Sequence, residues 1–313
     1  MKFFRHLSLL FALSLAAVAQ AETYPPEVEA LLKPMPEQAV MMGNIILTLD
    51  EDMQNAVQQE MDDVVADTAV LRGWAVVLNA ATGQVLAMVG AGSNPEGANI
   101  ACAPVLPAGG TTKLFGYIEA TEQGSRHVSP VVEMERCRAA IARFGLNEPV
   151  GLGVQDDVPC EITDEAVPGE PNETGFFYYL KKVSAMHLAT GYAAVANGGV
   201  RVQPRLIKGL MLNDGERYLP TNPPPTRRLM SAETAQKAQE TAPLKDLPTG
   251  CSKGYVDVQY NDNMLVHAGF IVCNGTPLVI VTVADGGKKN PEETTPFRRV
   301  AERIIPLVIP NAE

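Results

Sequence analysis

Alternating apolar and polar positions divide most of the chain into short runs that are typical of strands and helices. Strands are expected where every second residue is apolar, or where a short apolar run lies between turn residues, and helices where apolar residues recur every three to four positions. These patterns predict strands over 44–50, 73–79, 84–89, 254–260, 265–273 and 277–283, and helices over 52–66, within 184–199 and over 294–308. The proline-rich region 214–230 is predicted to be a loop.

One proline- and glycine-rich stretch, residues 104–117, is predicted to run from a loop into a helix. Lys113 follows Gly110 by three residues, so the two positions share a helix face. In Ser-x-x-Lys acyl-transfer enzymes this spacing lets the lysine activate a serine, but Gly110 has no side chain with which to attack. Thr111 and Thr112 lie off the face of Lys113. Two alternatives remain for Gly109-Gly110: an open helix N-terminus that binds an anion, or a tight turn packed on its neighbours.

The first 21 residues have the pattern of a cleavable export signal. Lys2 and Arg5 precede a short apolar run, and Ala19-Gln20-Ala21 is typical of a cleavage site. The apolar run is short for a membrane span, and no long apolar run follows it. We therefore expect a signal peptide over 1–21, a linker over 22–42, one domain over 43–310, and a soluble periplasmic protein.

Composition and charge exclude several functional classes. With 25 basic and 36 acidic residues, the chain carries a formal net charge of −11. The electrostatic field of this net negative charge disfavours binding to nucleic acid or anionic lipid. The spacing of histidines and cysteines predicts no metal site, and we expect no cofactor. The cysteines are five in number, which in an oxidising compartment allows up to two disulfides and one spare thiol.

Five stretches resemble, in the right order, segments of the transpeptidase domain of class B penicillin-binding proteins. They are Leu47-Thr48-Leu49-Asp50 with Gln54, the hairpin over 79–89, the segment 108–113, Arg143-Phe144-Gly145-Leu146, and the alanine-rich segment 184–199 that ends in Ala-Asn-Gly-Gly. The resemblance spans about residues 45–305. It implies an α/β sandwich of the serine β-lactamase and transpeptidase type, with a five-stranded, mostly antiparallel sheet, helices on both faces, and a reduced helical subdomain.

The same resemblance reveals departures at each of the three family motifs. The segment 108–113 falls where the family carries Pro-Gly-Ser-Thr-x-Lys, so Gly110 replaces the acylated serine while Lys113 matches the catalytic lysine. The family's Ser-x-Asn motif finds no match at Ser125 or Ser129. Its Lys-Thr-Gly motif aligns with Pro248-Thr249-Gly250, which keeps Thr249 and Gly250 but lacks the lysine.

These departures imply a pseudoenzyme that binds peptidoglycan peptides or a cell-wall synthesis protein. The alternative is an active D,D-transpeptidase or D,D-peptidase that uses a displaced nucleophile. A hydroxyl or thiol within hydrogen-bond reach of Lys113 would favour the alternative. We expect His127, His187 and His267 to be ordinary surface or core histidines.

The predicted hairpin over 250–273 also predicts a disulfide. If its turn is centred on Asp262, Cys251 and Cys273 are directly opposed across the two strands, at a separation that a disulfide can close. A register slip of one residue would place the two side chains on opposite faces. The bond would remove Cys251 as a possible thiol nucleophile. The pairing of Cys102, Cys137 and Cys160 stays open.

Overall fold

The computed structural model describes residues 43–68, 70–93, 99–124, 134–163, 180–212, 215, 217–219, 223–244, 249–261, 263–286 and 296–309. The predicted leader and linker, residues 1–42, lie outside these ranges. The helices are α1 (Glu51–Thr68), α2 (Lys113–Glu122), α3 (Met134–Phe144), α4 (Ala185–Ala196), α5 (Ala232–Gln239) and α6 (Pro296–Val308), with a short 3₁₀ helix at Gly110–Thr112. The strands are β1 (Gly43–Leu47), β2 (Arg72–Asn79), β3 (Val85–Gly92), β4 (Leu106–Pro107), β5 (Glu161–Ile162), β6 (Leu180–Val183), β7 (Val200–Val202), β8 (Ile207–Leu212), β9 (Arg217–Tyr218), β10 (Thr226–Arg228), β11 (Cys251–Asn261), β12 (Met264–Cys273) and β13 (Thr276–Asp285).

A five-stranded sheet forms the centre of the fold. Its strand order is β11-β12-β13-β2-β3, and every neighbouring pair is antiparallel. The central strand β13 is buried from residue 277 to 284 without interruption, because helices cover both faces of the sheet. The sheet and its flanking helices confirm the predicted architecture, and both predicted hairpins are present.

Alternate residues of the sheet face two different helical layers. Trp74 and Val76 of β2 pack with α4, whose residues 185–195 are all buried. Ala75 and Val77, on the other face, share a second apolar cluster with residues of α1 and α6. This alternation follows from the two-residue period of a strand. Among the described helices, none is both long and apolar enough to cross a membrane.

Two smaller strands lie inside the region 214–230, so the prediction of a continuous loop there was wrong. Arg217–Tyr218 (β9) pairs with β8, and Thr226–Arg228 (β10) pairs with β7. Each strand is only two or three residues long and lies near prolines. An alternating pattern cannot be recognised over so few residues, and these strands are fixed by their partners.

The predicted disulfide between Cys251 and Cys273 is present, with Cα atoms 3.9 Å apart. The two cysteines are opposed, but the next pair is Lys253 with Val272, so the register shifts by one residue at Ser252. Beyond this bulge, a turn centred on Asp262 does not describe the ladder. The extra residue at the bulge places the side chain of Cys251 on the same face of the sheet as that of Cys273, so that the two sulfur atoms can form a bond.

Candidate functional site

Gly110 begins the 3₁₀ helix and lies directly against strand β11. A Cβ atom at position 110 would lie 2.8 Å from the carbonyl oxygen of Val258, and 3.5 and 3.6 Å from Cβ and Cα of Gln259. The nearest of these atoms belongs to the backbone, so it cannot rotate away as a flexible side chain would. The close approach of β11 therefore requires glycine at position 110.

The side chain of Gln259 fills the space beside the two glycines. Its Nε2 donates to the carbonyl oxygen of Pro107 at 2.9 Å, and its Oε1 accepts from the hydroxyl and the backbone N–H of Thr111, at 3.0 and 3.3 Å. A Cβ atom at Gly109 would lie 2.3–2.5 Å from the amide atoms of this glutamine. Gln259 thus joins β11 to the start of the helix and leaves no room between them.

Three backbone donors at this helix start are already used inside the protein. Gly109 N–H donates to the Thr112 hydroxyl at 3.2 Å, Thr112 N–H donates to the Gly109 carbonyl at 2.9 Å, and Thr111 N–H donates to Gln259. An anion site at a helix N-terminus needs such groups to be available. The structure therefore supports the packed turn rather than the open anion site.

The outer edge of β11 is also covered over much of its length. Leu244 N–H donates to the carbonyl oxygen of Gly254 at 2.9 Å, and Val256 N–H donates to the carbonyl oxygen of Ala242 at 3.3 Å. Farther along the strand, Gly110 lies against the carbonyl oxygen of Val258. A peptide that adds to a sheet edge needs these same backbone groups. On this edge they face the protein itself.

Lys113 begins α2 with an exposed side chain. It makes no hydrogen bond with a hydroxyl or thiol within the described part of the chain. The hydroxyls of the two preceding threonines are directed elsewhere: Thr111 donates to Gln259, and Thr112 donates to the Gly109 carbonyl at 2.9 Å. The observation that would favour a displaced nucleophile is therefore missing from these residues.

Comparisons with known proteins agree with this fold. The family model described as the penicillin binding protein transpeptidase domain matches residues 125–249, which is less than half of the chain. Solved structures similar over most of the chain include penicillin binding protein 3 of Mycobacterium tuberculosis, with a TM-score of 0.66 and 20% identity over 85% of this chain and 80% of that one. A peptidoglycan synthetase from Bifidobacterium adolescentis gives a TM-score of 0.69 and 17% identity over 86% of this chain and 61% of that one. This chain has the fold of the penicillin-binding protein transpeptidase domain.

Curated relatives with this fold are longer than the present chain. Penicillin-binding protein PbpB of Mycobacterium tuberculosis is 26% identical over 282 residues, which cover 69% of this chain and 40% of that protein. Penicillin-binding protein 2B of Streptococcus pneumoniae is 26% identical over 151 residues, covering 46% of this chain and 18% of that protein. The chain therefore spans less than half the length of these relatives.

The structure does not bring the predicted remnant positions together. Gly110 lies against Val258 and Gln259, and Lys113 is close enough for its charge to act on Asp257, whereas Thr249 and Gly250 lie just before the other end of β11. At ~3.3 Å per residue, the eight steps from Gly250 to Val258 correspond to roughly 26 Å. Pro248, Ser125 and Ser129 lie outside the described residues. The strand segment beside Gly110 is therefore 257–259, which no motif in the sequence indicated.

Asp257 connects this strand segment to the layer of helix α4. Its Oδ2 accepts from the phenol of Tyr255 at 2.8 Å and lies 2.7 Å from the phenol oxygen of Tyr192, which is also 2.8 Å from the carbonyl oxygen of Thr111. Burial raises the pKa of Asp257, although the bonds from both tyrosines and the charge of Lys113 act in the opposite direction. Burial, followed by the charge of Asp257, raises the pKa of Tyr192 and Tyr255. No sequence pattern predicted this group, because its members come from distant segments.

The Asp257→Asn variant should gain stability relative to the wild type as the pH rises. A carboxyl group whose pKa is raised by folding stabilises the native state most below its unfolded pKa, and that contribution is lost as the pH rises through the folded pKa. Asparagine carries no charge to desolvate and retains an acceptor for the tyrosines. Urea unfolding of both proteins between pH 4 and pH 7 measures the difference, with Asp62→Asn on the exposed side of α1 as a surface control. A free energy of unfolding of Asp257→Asn that falls relative to the wild type as the pH rises would contradict this account of Asp257.

The other candidate nucleophiles and bases are buried within the described residues. Ser184 caps α4, and its Oγ lies 2.8 Å from Nδ1 of His187, whose Nε2 lies 2.9 Å from the carbonyl oxygen of Glu148. This resembles a serine–histidine pair, but both residues are almost completely buried, which closes the pair to substrate. Burial lowers the pKa of His187, and it lowers that of the buried His267 to about 4. His127 lies outside the described residues.

The cysteine side chains offer no accessible thiolate in this region. Cys251 is bonded to Cys273. Burial raises the pKa of Cys102, that of Cys137 to about 11, and that of Cys160 to about 12, so at neutral pH these thiols stay protonated. The described residues contain no group of three or more histidine, cysteine or acidic side chains that is suited to a metal ion.

Proposed function

We propose that this protein acts in cell-wall synthesis as a non-catalytic binding protein built on the transpeptidase fold. The observation that carries the proposal is the contact of Gln259 and Val258 with Gly109 and Gly110, which leaves no room for a serine side chain at position 110. Acyl transfer requires a nucleophile, its base and a bound substrate in one place. Of these, only a lysine at the position of the base has a counterpart here, and a fold without its site does not imply the activity.

A protein partner fits this geometry better than a peptidoglycan stem peptide bound along β11. A stem peptide bound along β11 would have to displace both Gln259 and the segment around Pro243, which bridges to Tyr255. Binding to a cell-wall synthesis protein requires no such opening. The alternative of an active D,D-peptidase or D,D-transpeptidase with a displaced nucleophile has no comparable support among the described contacts.

An assay of stem-peptide hydrolysis tests the non-catalytic role. We expect the purified protein to release no D-alanine above the buffer rate, and Lys113→Ala to behave as the wild type does. A Lys113→Gln variant keeps much of the side-chain length but lacks the basic amine, so it separates the loss of the base from the loss of side-chain volume. Turnover by the wild type that falls at least a hundredfold in both variants would instead establish an active enzyme with Lys113 as its base.

We also propose that the protein is exported to the periplasm after cleavage of residues 1–21. The charged and apolar pattern of the leader supports this, and the disulfide at Cys251 is suited to an oxidising compartment. Cell fractionation with N-terminal sequencing tests it. Recovery of the uncleaved chain in the membrane pellet after salt and carbonate washes would contradict the proposal.

A further inference from the structure

Two arginines are directly opposed on the small ribbon of β7 and β10, away from the region around Gly110. Arg201 pairs with Arg227 in the antiparallel register, so the two side chains extend from the same face. Like charges that are directly opposed on neighbouring strands repel each other and destabilise the pair. Such an arrangement is stabilised when an anion lies between the two guanidinium groups.

Arg201 is held in place by the fold, and no described residue forms an ion pair with it. Its Nε is buried and has no hydrogen-bond partner, and within the described residues the side chain forms no ion pair. The adjacent turn is shaped around it: a Cβ atom at Gly145, where φ is +69°, would lie 2.7 Å from Nη1 of Arg201. A buried donor without an acceptor is uncommon in folded proteins. Among the described residues six buried side-chain atoms lack a hydrogen-bond partner, and Arg201 is the one that is directly opposed to a second arginine in the strand register.

Nearby acidic groups do not supply that acceptor. Both oxygens of Asp157 are used by the backbone N–H groups of residues 150, 151 and 152, at 2.6–2.9 Å. Glu148 is exposed and forms no ion pair with a described residue. Burial lowers the pKa of Arg201, and Arg227 lowers it further, while Glu148 and Asp157 act in the opposite direction. The two carboxylates therefore moderate the positive charge without pairing with it.

We propose that Arg201 and Arg227 form a binding site for an oxyanion, a carboxylate or phosphate group that accepts from both guanidinium groups. Arg201 would donate from a fixed position beside Gly145, and the exposed Arg227 would close over the anion from the neighbouring strand. Planar guanidinium groups match the paired oxygens of either ligand. The site shares no residue with the region around Gly110, so it is independent of the proposed lack of catalysis.

Isothermal titration calorimetry with inorganic phosphate, and separately with acetate, tests the site at constant ionic strength maintained with chloride. We expect at least one anion to bind the wild type, and Arg227→Gln and Arg201→Lys each to weaken that binding about tenfold. Arg227 is exposed, so its variant should fold normally, and Arg217→Gln on β9 is a matched control that should bind as the wild type does. Phosphate binding alone would identify a phosphoryl ligand, and acetate binding alone a carboxylate. The proposal is overturned if neither anion binds, or if binding changes less than threefold in both variants.

Discussion

Replacing Gly110 by serine is expected to destabilise the protein by about 1–3 kcal/mol and to produce no acylation by β-lactams. The new Cβ atom would lie 2.8 Å from the carbonyl oxygen of Val258, so β11 would have to move. Truncating Gln259 would not relieve this contact, because the opposing atom is part of the backbone. A serine at position 110 is therefore incompatible with the packing of β11 against the start of the 3₁₀ helix.

Urea unfolding of Gly110→Ser and Gly90→Ser separates the steric effect from a general effect of serine in place of glycine. Apart from Gly90 itself and its two neighbours in the chain, no described atom lies within 4 Å of a Cβ atom placed at Gly90 on β3. The Gly90→Ser variant should therefore change the free energy of unfolding by less than about 0.5 kcal/mol. Equal stability of Gly110→Ser and the wild type would show that β11 does not lie as close to Gly110 as the structure has it.

Removing the disulfide is expected to lower the free energy of unfolding by about 2–4 kcal/mol, the usual range for a bond of this kind. The bond joins residues 22 positions apart, and it closes the end of the hairpin that is distant from its turn. The Cys251→Ser, Cys273→Ser double variant should show this loss in urea unfolding. Reduced wild type should match the double variant, whose own stability should not respond to a reductant. A double variant as stable as the oxidised wild type would show that the bond does not form in solution.

Much of the fold was predictable because long elements carry a strong pattern. The hairpins over 72–92 and 251–273 and the helices α1, α4 and α6 each repeat their period several times. The disulfide was predictable from the opposition of Cys251 and Cys273. The bulge at Ser252 was not predictable, because a single extra residue near the strand end does not visibly interrupt the alternation of apolar and polar residues. The strands β9 and β10 escaped prediction because they are too short to show a period.

The candidate site was predictable only in part. Gly110 and Lys113 could be identified from the resemblance, as could the loss of the serine. The partners of Gly110 could not, because Gln259 lies 149 positions away in sequence and nothing near it indicates which surface it meets. The match of the third motif to Thr249 and Gly250 was made from residue identity and stays a prediction, while the strand residues that lie against the helix start are 257–259. A contact between distant segments depends on how the sheet and helices pack, which local patterns do not record.

Intact-mass spectrometry of the native protein after incubation with a fluorescent penicillin tests the central claim most directly. If Gln259 and β11 fill the space beside Gly110, no acyl adduct should form, and the spectrum should contain only the mass of the unmodified chain. An active class B penicillin-binding protein treated in parallel provides the positive control, and heat-denatured protein provides the background. A stoichiometric adduct on the native protein, mapped by peptide analysis to one hydroxyl or thiol, would contradict the account and identify a working nucleophile.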